Sequence, residues 1–291
     1  MYKKQWIYGW ILTAPALAVL LIFTHIPAVK TLISSFFSTA TRRRPSEFVG
    51  LENYELLLND DVFWTALINN FWYAVATIPT TIALAIIMAL WVNNNLKGQT
   101  FLRISFFAPT VLPLIAVANI WLFFYTPGFG LLDQIRMFFF DVPETNWLGQ
   151  KTTVLPAIIT VAIWKEAGFF MIFYLAALQA IPPTYKEAAD IEGCSKWHFF
   201  WKITFPLLMP TTLFVMVNAV INSFRLVDHI FIMTGGGPDN SSSLLLYYIY
   251  EVAFKYWDTS YASTLTVVLL LIMFTIAIGQ FLFLDRKVHY R

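Results

Sequence analysis

The chain has 291 residues, 58% of them hydrophobic and 12% charged, with a net charge of +2. Soluble domains carry about twice that share of charge, which argues against a water-soluble fold, and so small a net charge, without a long basic block among aromatics, argues against nucleic-acid binding. The single cysteine, Cys194, rules out an internal disulfide and a cysteine-built zinc site, and between Gly193 and Ser195 it reads as a small buried side chain.

A helix needs roughly 20 apolar residues to cross a bilayer. Six stretches meet that length, at about 6–37, 63–92, 101–125, 154–180, 203–227 and 262–284. The first follows Lys3 and Lys4 and looks at its start like a secretory signal. Its apolar run continues through Val19, Leu20, Leu21, Ile22 and Phe23, well past the roughly 7–15 residues of a signal core, so it is read as an uncleaved span. Pro15, Pro27, Pro79, Pro109, Pro113 and Pro156 lie inside these runs. Lipid cannot satisfy the backbone groups that proline frees, so the helices must kink against neighbours or line a wet cavity, as in a transporter or channel. The longest loops, near 38–62, 126–153 and 228–261, leave no room for a soluble domain of any size. The expectation is an all-α integral membrane protein with six spans forming a single domain over 1–291.

Basic residues in short loops set the orientation. With both termini in the cytoplasm, the inner segments carry Lys3, Lys4, Lys97, Arg103, Lys186, Lys196, Lys202, Arg286, Lys287 and Arg291. The outer segments carry Arg42, Arg43, Arg44, Arg136, Lys151 and Lys255, diluted by many carboxylates. The Arg42 to Arg44 triplet opposes the bias, but every inner segment is basic, so termini inside is the expected arrangement.

The loop over 182–203, between the fourth and fifth spans, reads Pro182-Pro183-Thr184-Tyr185-Lys186-Glu187-Ala188-Ala189-Asp190-Ile191-Glu192-Gly193 and continues to Ile203-Thr204-Phe205-Pro206. Two prolines end the preceding span, and Thr184 with Glu187 three residues on predicts a capping box with Thr184 as N-cap. Ala188 and Ala189 are small enough to admit another backbone, and Gly193 suits a left-handed helix end. A second short helix is expected from Ser195, with Trp197, Phe199, Phe200 and Trp201 at the membrane interface.

Polar residues inside spans mark a candidate path, since a charge at mid-bilayer costs about 2.5–3.5 kcal/mol on insertion scales and is usually functional or paired. In the fifth span Asn218, Asn222, Arg225 and His229 recur at helical spacing and are expected on one face. In the fourth, Lys165 and Glu166 precede Phe169 by about one turn. Amides beside an aromatic plate suit a polyol. The same residues also suit structural roles: ion pairs of Lys165 with Glu166 and Arg225 with Asp228, or hydrogen bonds of Asn218 and Asn222 between helices. His25 and Lys30 read as interfacial.

The spacing Glu-Ala-Ala, three residues, Gly, nine residues, Ile, one residue, an apolar residue and Pro resembles the signature loop of binding-protein-dependent ABC importer permeases, with Phe205 where the family usually has Leu. The likeness extends to Phe48-Val49-Gly50-Leu51-Glu52-Asn53-Tyr54, Ala177-Leu178-Gln179-Ala180-Ile181-Pro182 and Thr234-Gly235-Gly236-Gly237-Pro238. It looks like the first of the two unlike permeases in carbohydrate systems of the maltose and glycerol-3-phosphate type. The resemblance implies a maltose-permease-like fold in a bacterial plasma (inner) membrane, a second permease subunit, two ATP-binding cassette subunits and an extracytoplasmic solute-binding protein. It implies coupling to the ATPase through Thr184, Glu187, Ala188, Ala189, Gly193, Ile203 and Pro206. A solute path at Lys165, Glu166, Phe169, Asn218, Asn222 and Arg225 agrees with it, as does docking of the binding protein at Gly235, Gly236, Gly237 and Pro238.

The chain has no Gly-x-x-x-x-Gly-Lys-Ser/Thr phosphate loop, so ATP and Mg are expected on the partner ATPases, with no cofactor or metal and no covalent chemistry in this chain. A membrane-embedded enzyme lacks a His-Glu-x-x-His motif or a converging Ser/His/Asp set. The closer rival is an ion-coupled secondary transporter.

Overall fold

The computed structural model describes residues 2–42, 44–94 and 98–284. Lys97, Arg286, Lys287, Arg291 and Arg43, used above for orientation, lie outside the described residues. The helices in chain order are α1 (Tyr2–Leu20), α2 (Ile26–Ser34), α3 (Glu52–Leu58), α4 (Asp61–Asn93), α5 (Gln99–Val111), α6 (Leu114–Phe124), α7 (Leu131–Phe140), α8 (Val154–Gln179), α9 (Pro183–Ile191), α10 (Lys196–Phe199), α11 (Phe205–Arg225), α12 (Asp228–Met233), α13 (Leu245–Tyr250) and α14 (Thr259–Leu284). Wider π-turns at Leu21–His25, Phe200–Thr204 and Glu251–Lys255 join α1 to α2, α10 to α11 and extend α13. Among the described residues the only β pairing is the isolated bridge between Phe37 and Phe48.

Five helical stretches are long and apolar enough to cross a membrane: Tyr8–Ser34, Asp61–Asn93, Val154–Gln179, Lys196–Met233 and Thr259–Gln280. The sixth crossing, expected as one helix over 101–125, is a broken pair: α5 and α6 meet at 101°. Not every proline breaks its span. Pro156 lies in the first turn of α8, where an absent N–H leaves no helical bond unmade. Pro79 sits inside α4, which continues unbroken. Pro113 forces its predecessor out of the helical region, and Leu112 is extended at φ −72° and ψ 136°.

The chain divides into two compact units. One comprises residues up to Asp61 with Ile249–Ile272. Here the Phe48 to Tyr54 motif acquires a physical role: the buried Asn53 amide donates to the carbonyls of Ser35 and Phe37, both at 2.9 Å, and fixes α3 beneath the end of α2. The Tyr54 hydroxyl meets Ser35 Oγ at 2.8 Å, and Thr264 Oγ1 donates to the Ser35 carbonyl at 3.2 Å.

The other unit comprises Val62–Tyr248 with residues from Met273 onward. One core cluster joins Ala85 and Ala89 of α4, Phe170, Met171, Tyr174 and Leu178 of α8, and Leu208 and Val215 of α11. A second cluster gathers Val117, Ala118 and Trp121 of α6 against Ala157 and Val161 of α8 and Met233 of α12. Where α5 crosses α8, Gly168 lies against the Phe106 carbonyl so closely that any Cβ would collide with backbone. Gly168→Ala is therefore expected to lower the thermal stability of the detergent-solubilised protein by about 1–3 kcal/mol. Gly279→Ala in α14, where a Cβ meets nothing within 4 Å, is expected to leave it unchanged or raise it slightly; equal melting curves would refute the contact.

Candidate functional site

Beside the breaks in α5–α6 and α11–α12 lies a mainly apolar cavity of the second unit, walled in part by Ile78, Ala162, Ala219 and Leu226, into which a few polar groups project. Tyr73, Thr77 and Thr81 of α4, Leu114 of α6, Lys165, Glu166 and Phe170 of α8, Asn222 and Ser223 of α11, and His229 of α12 line this narrow space, which is partly open to the outside. Three of the residues expected on a path are here: Lys165, Glu166 and Asn222. Phe169 packs sideways on Phe170 and Phe173, and Phe170 takes the place on the wall expected of Phe169. Asn218 turns back on its own helix, donating to the Phe214 carbonyl at 2.8 Å, and Arg225 is exposed at the end of α11. Neither Asn218 nor Arg225 lines the cavity.

The expected common face through His229 does not form either. α11 stops at Arg225, Leu226 is extended at φ −86° and ψ 102°, and His229 rides on α12. The break carries His229 inward: it is 1% exposed, its Nε2 lies 3.4 Å from the Tyr73 hydroxyl, and its Nδ1 has no hydrogen-bond partner. Sequence reasoning did not select Tyr73, Thr77, Thr81 or Ser223. An i, i+4, i+8 row of hydroxyls on one long apolar helix was the available signal for the first three.

Adjacent charges on α8 face different ways. Lys165 Nζ donates to the Leu112 carbonyl at 2.8 Å, to Thr110 at 3.3 Å and to Pro109 at 3.4 Å, and Thr110 Oγ1 returns a bond to the Lys165 carbonyl at 3.3 Å. These carbonyls lie at the C-terminal end of α5, where helical partners run out and the dipole is negative. Glu166 points to the cavity, where its Oε2 accepts from Asn222 Nδ2 at 2.7 Å. Removing the ammonium leaves several buried acceptors unpaired, at about 1–3 kcal/mol each. Lys165→Met is accordingly expected to destabilise the protein markedly in thermal unfolding, and Lys165→Arg to recover part of that loss; equal curves for Met and Lys would show that the carbonyls do not depend on it.

The 182–203 loop lies at the other end of α8. Its helix starts two residues earlier than expected: Pro182 rather than Thr184 is the N-cap and Pro183 occupies the first turn, with no side-chain cap bond. The Thr184–Glu187 capping box is thus not formed. Pro183 already supplies the helical φ, and Thr184 is itself inside the helix. The C-terminal end closes through glycine, with Gly193 at φ +67°, its N–H donating to Asp190 at 3.2 Å and the Cys194 N–H reaching the Ala189 carbonyl at 2.9 Å. Glu187 and Ala188 face outward while Ala189 is buried. Ser195 caps α10, accepting from the His198 N–H at 3.3 Å. Cys194 is half-buried rather than buried, because with Ala188, Ala189, Glu192, His198, Lys202 and Ile203 it lines an open cleft along α9. Pro206 sits exposed in the first turn of α11.

Towards the opposite end of α8, the glycine-rich turn is built on positive φ at Gly235 (+55°) and Gly236 (+82°), with a Cβ at Gly236 meeting the Tyr247 ring at 2.8 Å. Asn69 Nδ2 holds the following turn through the Asn240 and Ser243 carbonyls at 2.8 and 3.0 Å, and Lys151 pairs with Asp239 at 2.8 Å. Nearby, buried Asp133 accepts from the Gly128 N–H (3.0 Å), the Thr145 N–H (2.9 Å) and Trp147 Nε1 (2.9 Å), with Arg136 at 3.6 Å. Burial alone would raise its pKa, but these donors and the guanidinium hold it below the ordinary carboxylate range. A lowered folded pKa contributes stability above the ordinary range, and that stability is lost as pH falls through the lowered value. Hydrogen exchange in 128–147, corrected for intrinsic rates, is expected to hold steady down to about pH 4 and to rise below it; an Asp133→Asn variant should lack that step.

The chain belongs to the family of binding-protein-dependent transport system inner membrane components, whose profile matches residues 81–290. It is 33% identical to the trehalose/maltose transport system permease protein MalF of Thermococcus litoralis, over 94% of both chains. It is also 33% identical to the lactose transport system permease protein LacF of Rhizobium radiobacter, over 94% of this chain and 92% of that one. The fold matches a chain in the crystal structure of a bacterial alginate ABC transporter in complex with an alginate pentasaccharide-bound periplasmic protein, at TM-score 0.84 and 20% identity, covering 96% of this chain and 93% of that one.

Proposed function

We propose that the chain is the transmembrane permease subunit of an ATP-driven importer for a sugar or related polar solute. It pairs with a second permease, two ATP-binding cassette subunits and an extracytoplasmic binding protein. The observation that carries this reading is α9: a short helix with proline at its start and a left-handed glycine at its end, presenting Glu187 and Ala188 outward between two long apolar helices. Its place in a family defined by dependence on a binding protein agrees, and so do relatives named for disaccharide transport. The ion-coupled alternative gains nothing from either.

In this reading the 182–203 loop and both termini lie in the cytoplasm. ATP and Mg bind to the cassette subunits, and closure of those subunits pushes on α9. Gly193 and the Ala189 carbonyl keep α9 a rigid unit, and Ile203 and Pro206 pass the movement into α11. The solute path runs through Glu166 and Asn222, with the Tyr73, Thr77, Thr81 and Ser223 hydroxyls offering further hydrogen bonds to a polyol. The turn from Gly235 to Pro238 faces the binding protein.

The decisive experiment is ATP-dependent uptake by the assembled complex in proteoliposomes. Gly193→Pro cannot adopt φ +67° and also loses the N–H that bonds Asp190, so uptake is expected to fall at least about tenfold, the equivalent of roughly 1.4 kcal/mol in a coupled step. Glu187→Ala is expected to reduce it as well, and parental rates for both would remove the coupling role. In the same assay Glu166→Gln and Asn222→Leu should raise the half-saturating solute concentration more than Asn218→Leu and Arg225→Gln. The reverse order would place the path elsewhere.

A further inference from the structure

The helix α7 has its amphipathic faces reversed relative to a helix exposed to water. Leu131, Ile135, Phe138 and Phe139 recur at i, i+4, i+7 and i+8, the spacing of one helical face. A loop helix in water turns such a stripe inward. Here the stripe points away from the protein, with Phe138 83% and Phe139 70% exposed. The inward side instead holds buried Asp133, and Arg136 lies 5.0 Å over the Trp147 ring and bonds Thr145. Leu132 completes the attachment by packing on the Trp121 and Tyr125 cluster. Between Leu131 and Phe140 the outward positions carry no charged side chain, only Gln134.

The stripe continues an apolar surface that begins in the membrane. α6 exposes Ile115, Ile120 and Phe123, and the turn before α7 adds Phe129 at 83% exposure. α6 is packed on Ala157 and Val161, in the half of α8 away from the α9 loop, so α7 emerges at that end of the spans. An exposed apolar face of this size marks an interaction surface.

We infer that α7 is an interfacial helix whose Leu131, Ile135, Phe138 and Phe139 stripe lies in the acyl–headgroup boundary of the leaflet at that end, with lipid as its occupant. The polar cluster around Asp133 then acts as the tether that holds the helix flat against α6 while its aromatic side enters the lipid. This assignment needs only a membrane-spanning chain and stands whether or not the proposed transport function does.

One substitution, Cys194→Ser, makes this chain cysteine-free; Phe139→Cys, Phe123→Cys or Glu144→Cys is placed in it, and the purified full chain is labelled with bimane and reconstituted into bilayers. Nitroxide-bearing phosphatidylcholine, labelled near the headgroup end of the acyl chain, is expected to remove about half the emission at position 139, much as at 123, because interfacial helices sit about 5–10 Å into this boundary. Iodide in the water should quench position 144 and spare 139. Iodide quenching at 139 equal to that at 144 would place the helix in water. Protection from both quenchers would mean that protein, not lipid, covers it, and either result overturns the inference. If Phe139→Cys does not fold, judged by gel filtration of the purified chain in detergent, Phe138→Cys carries the same measurement.

Discussion

A bilayer supplies no water to a broken helix, so each interruption of a span must bring its own hydrogen-bond partners. At the α5–α6 break the partner is the Lys165 ammonium, which collects the Pro109, Thr110 and Leu112 carbonyls. Its location is tightly set, because the close approach of Gly168 to Phe106 one turn further along α8 fixes how near the two helices come. A larger residue at 168 would lift α5 away and strand the lysine among apolar side chains. The intramembrane cation and the small residue thus form one device: the glycine lets the helices approach, and the lysine makes the approach compatible with a sharp bend. Glu166, next in sequence but about 100° around the helix, is left to face the cavity and hold Asn222.

The sequence announced what apolar length and proline placement control and obscured what side-chain direction controls. All six apolar runs correspond to helical segments, since hydrophobic length is nearly sufficient where only helices can span. Pro113 showed that something must give in the third, but not that the helix would turn by 101°, because the bend angle is set by what the freed carbonyls find. The lysine was visible, whereas its partners, three backbone oxygens more than fifty positions away, leave no trace in side-chain patterns. The same blindness explains Phe169 and Phe170: on an α8 that is apolar nearly all round, neighbouring phenylalanines are equivalent until packing chooses between them. In the 182–203 loop the capping box at Thr184 was a reasonable match to a pattern, but Pro183 had already fixed the first turn. Gly193 was readable because a left-handed helix end has few alternative residues. His229 does not share a helical face with Asn222, because α11 ends at Arg225 and His229 lies on α12. Helical spacing suggested a face shared with Asn222, and the extended Leu226 delivers it to the cavity by another route.

α8 joins the cavity to the 182–203 loop, which is what the proposed coupling requires. Its middle carries Lys165 and Glu166, and its end at Gln179 lies only a few residues before α9. From α9 the chain returns through the α10 turn into α11, whose Leu208 and Val215 pack against the same Tyr174 and Leu178 layer of α8. The Tyr174 hydroxyl donates to Thr212 Oγ1 at 3.2 Å and adds a polar tie to that layer. In the proposed mechanism a displacement of α9 would act on two helices that pack together and both contribute to the cavity wall, through Glu166 and Asn222. Such a close-packed pair transmits a push as a shift of the whole unit rather than dissipating it in side-chain rearrangement.

Exposed apolar surface is informative in a membrane protein only where polarity is distributed unevenly. Along α1 and α2 the described side chains are mostly exposed, and from Tyr8 to Leu20 α1 is apolar nearly all round. Such a helix can meet lipid through any face, so its exposure does not distinguish a bilayer from a neighbouring subunit. In α7 the asymmetry is strong and runs against the rule for water, with a satisfied carboxylate inside and phenylalanines outside. Keeping Asp133 bonded costs the chain a dedicated set of donors from Gly128, Thr145 and Trp147. That arrangement makes energetic sense if the outward face is removed from water, because only then does turning the phenylalanines outward cost nothing in apolar burial.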